Sequence, residues 1–202
     1  MKLYYSPGTC SLASHIALYE TGLQFETDRL IKTTKMTTGG ENYMQVNPKG
    51  YVPALKLDNG SILTEGAAVL QYIADQKPDS GLAPPCGTME RYHLQEWLTY
   101  ISSEIHKSFS PLFNKDASED VKSHAHSMLS KRLVYAEAQL ADKPFLMGDH
   151  FTVADAYFFV VMNWSKIVGF DLAPVPNIKE FLARIAVRPA VQAAMKVEGL
   201  LK

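Results

Sequence analysis

The segment Gly81-Leu82-Ala83-Pro84-Pro85-Cys86-Gly87 separates two stretches of different hydrophobic period, and that change constrains the fold more than any other feature. Before it, short alternating runs are mixed with helical spacing; after it, only helical spacing remains. A chain of 202 residues is long enough for one large domain or two small ones. The change of period decides for two: an α/β domain over 1–79, a linker over 80–87 and an all-α domain over 88–202.

In the first stretch, Lys2 to Tyr5 reads as a strand that Ser6-Pro7-Gly8 ends with turn chemistry. Leu12, Ile16 and Tyr19 then share a helix face, and Gly22 is a stop signal. Phe25 to Ile31 reads as a second strand, 32–40 as an exposed loop, and Glu41 to Val46 as a helical turn. Residues 53–57 alternate as a strand, Asp58-Asn59-Gly60 is a hairpin signal, and Ser61 to Leu63 returns. Val69, Leu70 and Ile73 mark a closing helix over 64–75. One crossover and one hairpin predict a small mixed sheet with helices packed on it.

The second stretch predicts helices at 88–113, 118–140, 152–168, 176–186 and 189–195. Thr152-Val153-Ala154-Asp155 has the form of a capping box with Asp in place of Glu. On the first helix, Leu94, Leu98, Ile101, Ile105 and Leu112 form a core stripe. Thr99, Ser103, His106 and Ser110, spaced 4, 3 and 4, share another face that is either wet surface or the lining of a crevice.

Several classes are disfavoured. The net charge is −1 with signs interspersed, which points to neither a nucleic-acid nor a membrane partner, and Lys131-Arg132 reads as a solvated helix face. No run approaches the roughly 20 apolar residues of a membrane span, and no signal-like segment follows Met1, so a cytoplasmic location is expected. Cys10 and Cys86 form no C-x-x-C pair, and His124 and His126 point to different helix faces, so no metal is expected. Cys86 reads as a linker thiol without function.

Cys10 stands where the first strand gives way to a helix. There it meets unpaired N–H groups and the positive end of the helix dipole, which favour thiolate. The dipole contributes about 0.3–1 kcal/mol, under about one pKa unit, so strong activation needs direct N–H donors or a nearby cation as well. His15 is a poor source of that cation, because five residues along a helix is about 500° of rotation. On these residues alone, Cys10 is either a reactive thiol or a small buried one.

Four ordered segments carry a resemblance: Tyr5-Ser6-Pro7-Gly8-Thr9-Cys10-Ser11, Asn47-Pro48-Lys49-Gly50-Tyr51-Val52-Pro53, Leu63 to Ile73, and Phe151 to Tyr157. Together they resemble the cytosolic glutathione transferases. Cys10, with Ser103-Glu104-Ile105-His106-Lys107, points to the bacterial beta class.

The resemblance implies a thioredoxin-like βαβ-ββα domain followed by a helical bundle, a homodimer, and glutathione as co-substrate for conjugation to hydrophobic electrophiles. It implies that Val52, before a cis Pro53, offers its backbone to the cysteinyl unit, and that the Glu65 side chain and the Gly66 amide hold the γ-glutamyl end. Many relatives carry Ser or Thr where this chain has Gly66, so one side-chain hydrogen bond is missing. Lys35 matches the position that reaches the glycyl carboxylate, and Thr99, Ser103, Glu104, His106 and Lys107 match ligand contacts, some of them to the neighbouring subunit. Cys10 and His106 are the implied catalytic residues, Cys10 able to form a mixed disulfide with glutathione, and His106 and Lys107 the implied cations near it. Tyr5, Phe109, Phe113 and Trp164 are expected around the electrophile.

Two other readings stay open. One is a glutathione-dependent thiol-disulfide oxidoreductase, peroxidase or reductive dehalogenase; with Cys10-Ser11-Leu12-Ala13 holding no second cysteine, its cycle would need a second glutathione. The other is a non-catalytic ligand-binding or regulatory module.

Overall fold

The structure is a computed structural model that describes residues 1–201. Its elements group into two compact units: Met1–Ala83 together with the chain from Val187 onward, and Pro84–Ala186.

In the first unit, β1 (Lys2–Tyr5), α1 (Ser11–Thr21), β2 (Glu26–Ile31), β3 (Met36–Thr37), α2 (Tyr43–Val46), β4 (Ala54–Lys56), β5 (Ile62–Thr64) and α3 (Gly66–Asp75) build a mixed sheet of order β3-β2-β1-β4-β5. β1 runs parallel to β2, with Leu3 opposite Thr27, and antiparallel to β4, with Leu3 opposite Leu55. As the middle strand it is covered on both faces, which is why Leu3, Tyr4 and Tyr5 are buried consecutively rather than alternately. β3 is an element that the composition of 32–40 hides. The buried Asp28 carboxylate holds it, accepting the Gly39 N–H at 2.9 Å and the Thr38 hydroxyl at 2.9 Å.

Gly22 closes α1 in the left-handed conformation (φ 66°), as expected of a C-terminal glycine. α1 is buried along nearly its whole length because α3 packs against it and so does α10 (Pro189–Val197), a helix from the far end of the chain. Arg188 grips Glu20 through two bonds, Nε–Oε1 at 2.7 Å and Nη2–Oε2 at 3.0 Å. Just past α10, Glu198 is buried and reaches His15 Nδ1 at 3.0 Å and the Gly8 N–H at 2.9 Å. The residues from 187 onward therefore group with the α/β unit, not with the helices before them as the 88–202 boundary expects. An ion pair spanning 168 positions and an amide–carboxylate bond spanning 190 join the packing of α10 on α1 in this, and no local pattern carries it.

The second unit holds α4 (Met89–Tyr100), a π turn (Ile101–His106), α5 (Lys107–Phe113), α6 (Glu119–Gln139), α7 (Val153–Asn163), α8 (Ser165–Val168) and α9 (Pro176–Ala186). Every residue of α7 from Val153 to Met162 is buried, the mark of a helix surrounded by others. Its start is the capping box read from the sequence. Asp155 Oδ2 accepts the Thr152 N–H at 2.8 Å and the Thr152 hydroxyl at 2.9 Å, and Oδ1 accepts the Leu146 N–H at 2.8 Å. Burial pushes the Asp155 carboxyl up to about 6 even against these donors.

The predicted helix over 88–113 is interrupted. Three hydroxyls turn back onto their own backbone: Thr99 to Gln95 O at 2.7 Å, Ser102 to Thr99 O at 3.3 Å and Ser103 to Thr99 O at 3.0 Å. Such back-bonding competes with the helix ladder, and here the ladder widens to the π pattern over Ile101–His106. The predicted helix over 152–168 likewise breaks, at Trp164.

Candidate active site

Cys10 precedes α1 with helical backbone angles (φ −55°, ψ −22°). Hydroxyls hold the loop that delivers it. Thr9 Oγ1 donates to Ser6 O at 2.8 Å, and the Ser6 N–H donates to Ser11 Oγ at 3.1 Å. Sequence reasoning passed over Thr9 and Ser11; the Ser6-x-x-Thr9-x-Ser11 spacing was the available signal.

The thiol donates to Val52 O at 3.2 Å. Burial pushes it up from its ordinary value near 9 to about 11; the N–H groups of Cys10 and Ser11 and the charge of Lys32 pull it down, and Glu65 pushes further up. In the ligand-free protein, burial of the sulfur opposes the electron-rich state that its helix-start position favours. The direct donors are there, but a helix end is worth less than about one unit and loss of hydration outweighs it.

Beside this thiol the Val52–Pro53 bond is cis. Tyr51 O is held by the Tyr43 hydroxyl at 2.6 Å and Asn47 Nδ2 at 2.7 Å, which anchors the segment from behind. The Val52 N–H finds no backbone partner among the described residues, so an open edge lies next to Cys10.

Glu65, ahead of α3, is a non-glycine residue at φ 72° and ψ 117°, a conformation that costs about 1–3 kcal/mol and is concentrated at binding sites. Its carboxylate pairs with Lys49, a residue the sequence reading did not single out; both side chains are exposed. No side chain caps α3, so its first amides, from Gly66 on, stay open to an anion. Around Gly66 an added Cβ would meet nothing within 4 Å. Lys35 is exposed in the loop after β2, with φ 58°. Tyr5 packs on His15, ring centroids 5.5 Å apart.

In the second unit the π turn parts residues that the 4-3-4 spacing places on one face. Thr99, Ser103 and Ser110 are exposed, whereas His106 is half-buried with Nδ1 2.7 Å from the Tyr157 hydroxyl and its ring 4.8 Å from Trp164. Burial first, and the charge of Lys107 second, hold His106 down at about 4. It is a neutral imidazole at pH 7 in the ligand-free protein, because its lost hydration and the like charge beside it both oppose the cation expected there.

Ser103, Glu104 and Lys107 instead line a groove of about 500 Å³ against α6, with His124, Met128 and Arg132. Glu104 Oε2 is 2.6 Å from Arg132 Nε, so Arg132 is ion-paired rather than simply solvated. Phe109, Phe113 and Trp164 form one aromatic cluster, centroids 5.5–6.5 Å apart. Phe109 is fully buried and is core rather than pocket wall; Phe113 is exposed. Sequence reasoning missed Tyr157, which its even burial along α7 conceals.

No helix among the described residues is long and apolar enough to cross a membrane, and no cluster of three potential metal ligands occurs among them.

Two family descriptions match the chain: Glutathione S-transferase, N-terminal domain, over residues 8–76, and Glutathione S-transferase, C-terminal domain, over 97–189. The chain belongs to the glutathione S-transferase family. Glutathione S-transferase GstA of Escherichia coli O157:H7 is 46% identical over 200 residues, covering 99% of this chain and 100% of that one. A sphingomonad glutathione S-transferase solved with glutathione is 46% identical with TM-score 0.96, and a beta-class enzyme of Sphingomonas chungbukensis is 47% identical with TM-score 0.95; each comparison covers 100% of both chains. The class is therefore the bacterial beta class, an enzyme that uses glutathione as co-substrate.

Proposed function

We propose that the first unit binds glutathione along the Val52 edge and that the enzyme conjugates it to apolar electrophiles. The observation that carries this reading is the Cys10 thiol at 3.2 Å from the Val52 carbonyl, next to an N–H without a backbone partner. A cysteinyl unit laid on that edge pairs as an added strand would, and its sulfur comes to lie beside Cys10. The Glu65 carboxylate takes the ammonium group, exchanging an exposed ion pair with Lys49 that is worth about 0–1 kcal/mol. The open amides at Gly66 take the γ-glutamyl carboxylate, and Lys35 serves the glycyl end.

With Cys10 neutral, its S–H is a hydrogen-bond donor to the glutathione sulfur before it is a nucleophile. The sulfur attacks the electrophilic carbon, a C–S bond forms, and the leaving group departs with its electron pair while the thiol proton passes to solvent. Conjugation is thereby favoured over thiol exchange, which needs Cys10 as thiolate. Phe113, exposed, offers apolar surface for the electrophile, and the expected Trp164 is buried behind it as core.

Thr99 and Ser103 are exposed and Glu104 turns to Arg132, while His106 within the same π turn packs on Tyr157; this separation supports a role for Thr99, Ser103 and Glu104 toward the glutathione of a second copy in a homodimer. A thiol that must stay reduced supports a cytoplasmic location.

The test is steady-state turnover of a chlorinated aromatic with glutathione, run beside reduction of hydroxyethyl disulfide, for the wild type and for Cys10→Ala and Glu65→Gln. Conjugation is expected to exceed reduction and partly to survive Cys10→Ala, and Glu65→Gln is expected to raise KM for glutathione. Faster reduction than conjugation in the wild type would refute this order.

A further inference from the structure

His106 is neutral at pH 7, so its two ring nitrogens differ: one carries a proton and the other accepts one. Nδ1 faces the Tyr157 hydroxyl at 2.7 Å, with the two rings edge to face at 87° and 5.9 Å apart. Nε2 has no hydrogen-bond partner in the protein among the described residues. The Trp164 ring crosses the imidazole at 4.8 Å and 67°, which together with the Tyr157 bond fixes the plane of the ring.

We infer that Tyr157 is a positioning residue for His106: its hydroxyl donates to Nδ1, holds the imidazole as the Nε2–H tautomer, and makes Nε2–H the one polar atom the ring presents to a ligand. A phenol hydroxyl is the better donor of the pair and an imidazole nitrogen the better acceptor, and 2.7 Å is the length expected of a strong O–H bond. With Nδ1 occupied by that bond and Nε2 already protonated, His106 has no nitrogen free to take a proton. It acts as a donor to electron-rich atoms, a thiolate sulfur or a departing anion, and not as a general base. The inference rests on the family resemblance that implies His106 meets the ligand, and adds what the ring does there.

The experiment is a two-bond 1H–15N correlation spectrum of the full chain with 15N-labelled histidine at pH 7, His106 being assigned from the signals lost in His106→Gln. The expected pattern is a protonated Nε2 and a bare Nδ1 in the wild type, collapsing toward a tautomer mixture in Tyr157→Phe. A protonated Nδ1 in the wild type, or an unchanged pattern in Tyr157→Phe, overturns the inference; the wild-type spectrum decides even if the variant does not fold.

In turnover, Tyr157→Phe should lower kcat by about two- to tenfold, the range of one hydrogen bond, with KM for glutathione unchanged. The double variant with His106→Gln should be no slower than His106→Gln alone. Unchanged turnover in His106→Gln would refute the ligand-facing role of His106 and not its tautomer, which the spectrum reads independently.

Discussion

At the start of α3 the chain has Gly66, where a hydroxyl would complete the proposed carboxylate site, and Gly66→Ser restores it. The substitution has room, since nothing lies within 4 Å of the new Cβ, and Gly66 is not among the glycines of positive φ, so the backbone need not change. Two effects follow. Replacing glycine in the first turn reduces the freedom of the unfolded chain and is worth about 0.4–1 kcal/mol, which for a chain of this size raises Tm by about 1–4 °C. The hydroxyl adds a hydrogen bond to a charged group, worth about 1.5–3 kcal/mol when buried; next to the exposed Glu65, screening reduces it to about 1 kcal/mol, or roughly fivefold in affinity. The assay is titration calorimetry with glutathione beside a thermal melt. A raised Tm with unchanged affinity would show that no carboxylate sits at this amide. A lowered Tm would show that the space is not open.

The buried thiol makes a second prediction: in the ligand-free protein iodoacetamide should label exposed Cys86 before Cys10, and Cys10 labelling should rise with pH toward about 11. A Cys10 midpoint below pH 8.5 by mass spectrometry would refute the burial argument. His106, held at about 4 against an ordinary 6.5, binds a proton more readily unfolded than folded; it therefore makes stability fall by up to about 3 kcal/mol as pH drops from 6.5 to 4. Asp155, raised to about 6 from 3.8, has the opposite slope between those values, so urea melts of the wild type should show the two largely cancelling. In His106→Gln the Asp155 slope is opposed only by carboxylates held low, Asp28 and Glu41, whose loss falls mainly near and below their ordinary 3.8 and 4.5, so stability should rise on acidification from pH 6 to 5; a fall over that interval would contradict this assignment. Glu198→Ala should cost about 2–4 kcal/mol, because it removes the carboxylate that buried His15 Nδ1 faces, and a Tm drop below about 3 °C would show that α10 is held by apolar packing alone.

Much of the architecture is legible in local pattern. The strand at Lys2–Tyr5, the stop at Gly22, the hairpin at Asp58-Asn59-Gly60 and the capping box at Thr152 and Asp155 all stand where residue type and spacing place them. Each depends on neighbours within a few positions, and side-chain period or turn chemistry registers those directly. The short β3 escaped because its support, Asp28, lies on another strand. The π turn escaped because the hydroxyls of Thr99, Ser102 and Ser103 read equally well as the polar face of an unbroken helix.

The chain's order of residues alone settles which groups are available: a thiol at a helix start, a proline after Val52, a helix beginning beside Glu65, an imidazole at 106. Their charge states and directions depend on the assembled interior. Burial raises Cys10, burial and Lys107 keep His106 neutral, one widened turn sends His106 toward Tyr157 and leaves Ser103 facing away, and a carboxylate at 198 fastens the loop at Gly8. Desolvation and long-range pairing act across space rather than along the chain, so no local pattern of residues encodes them.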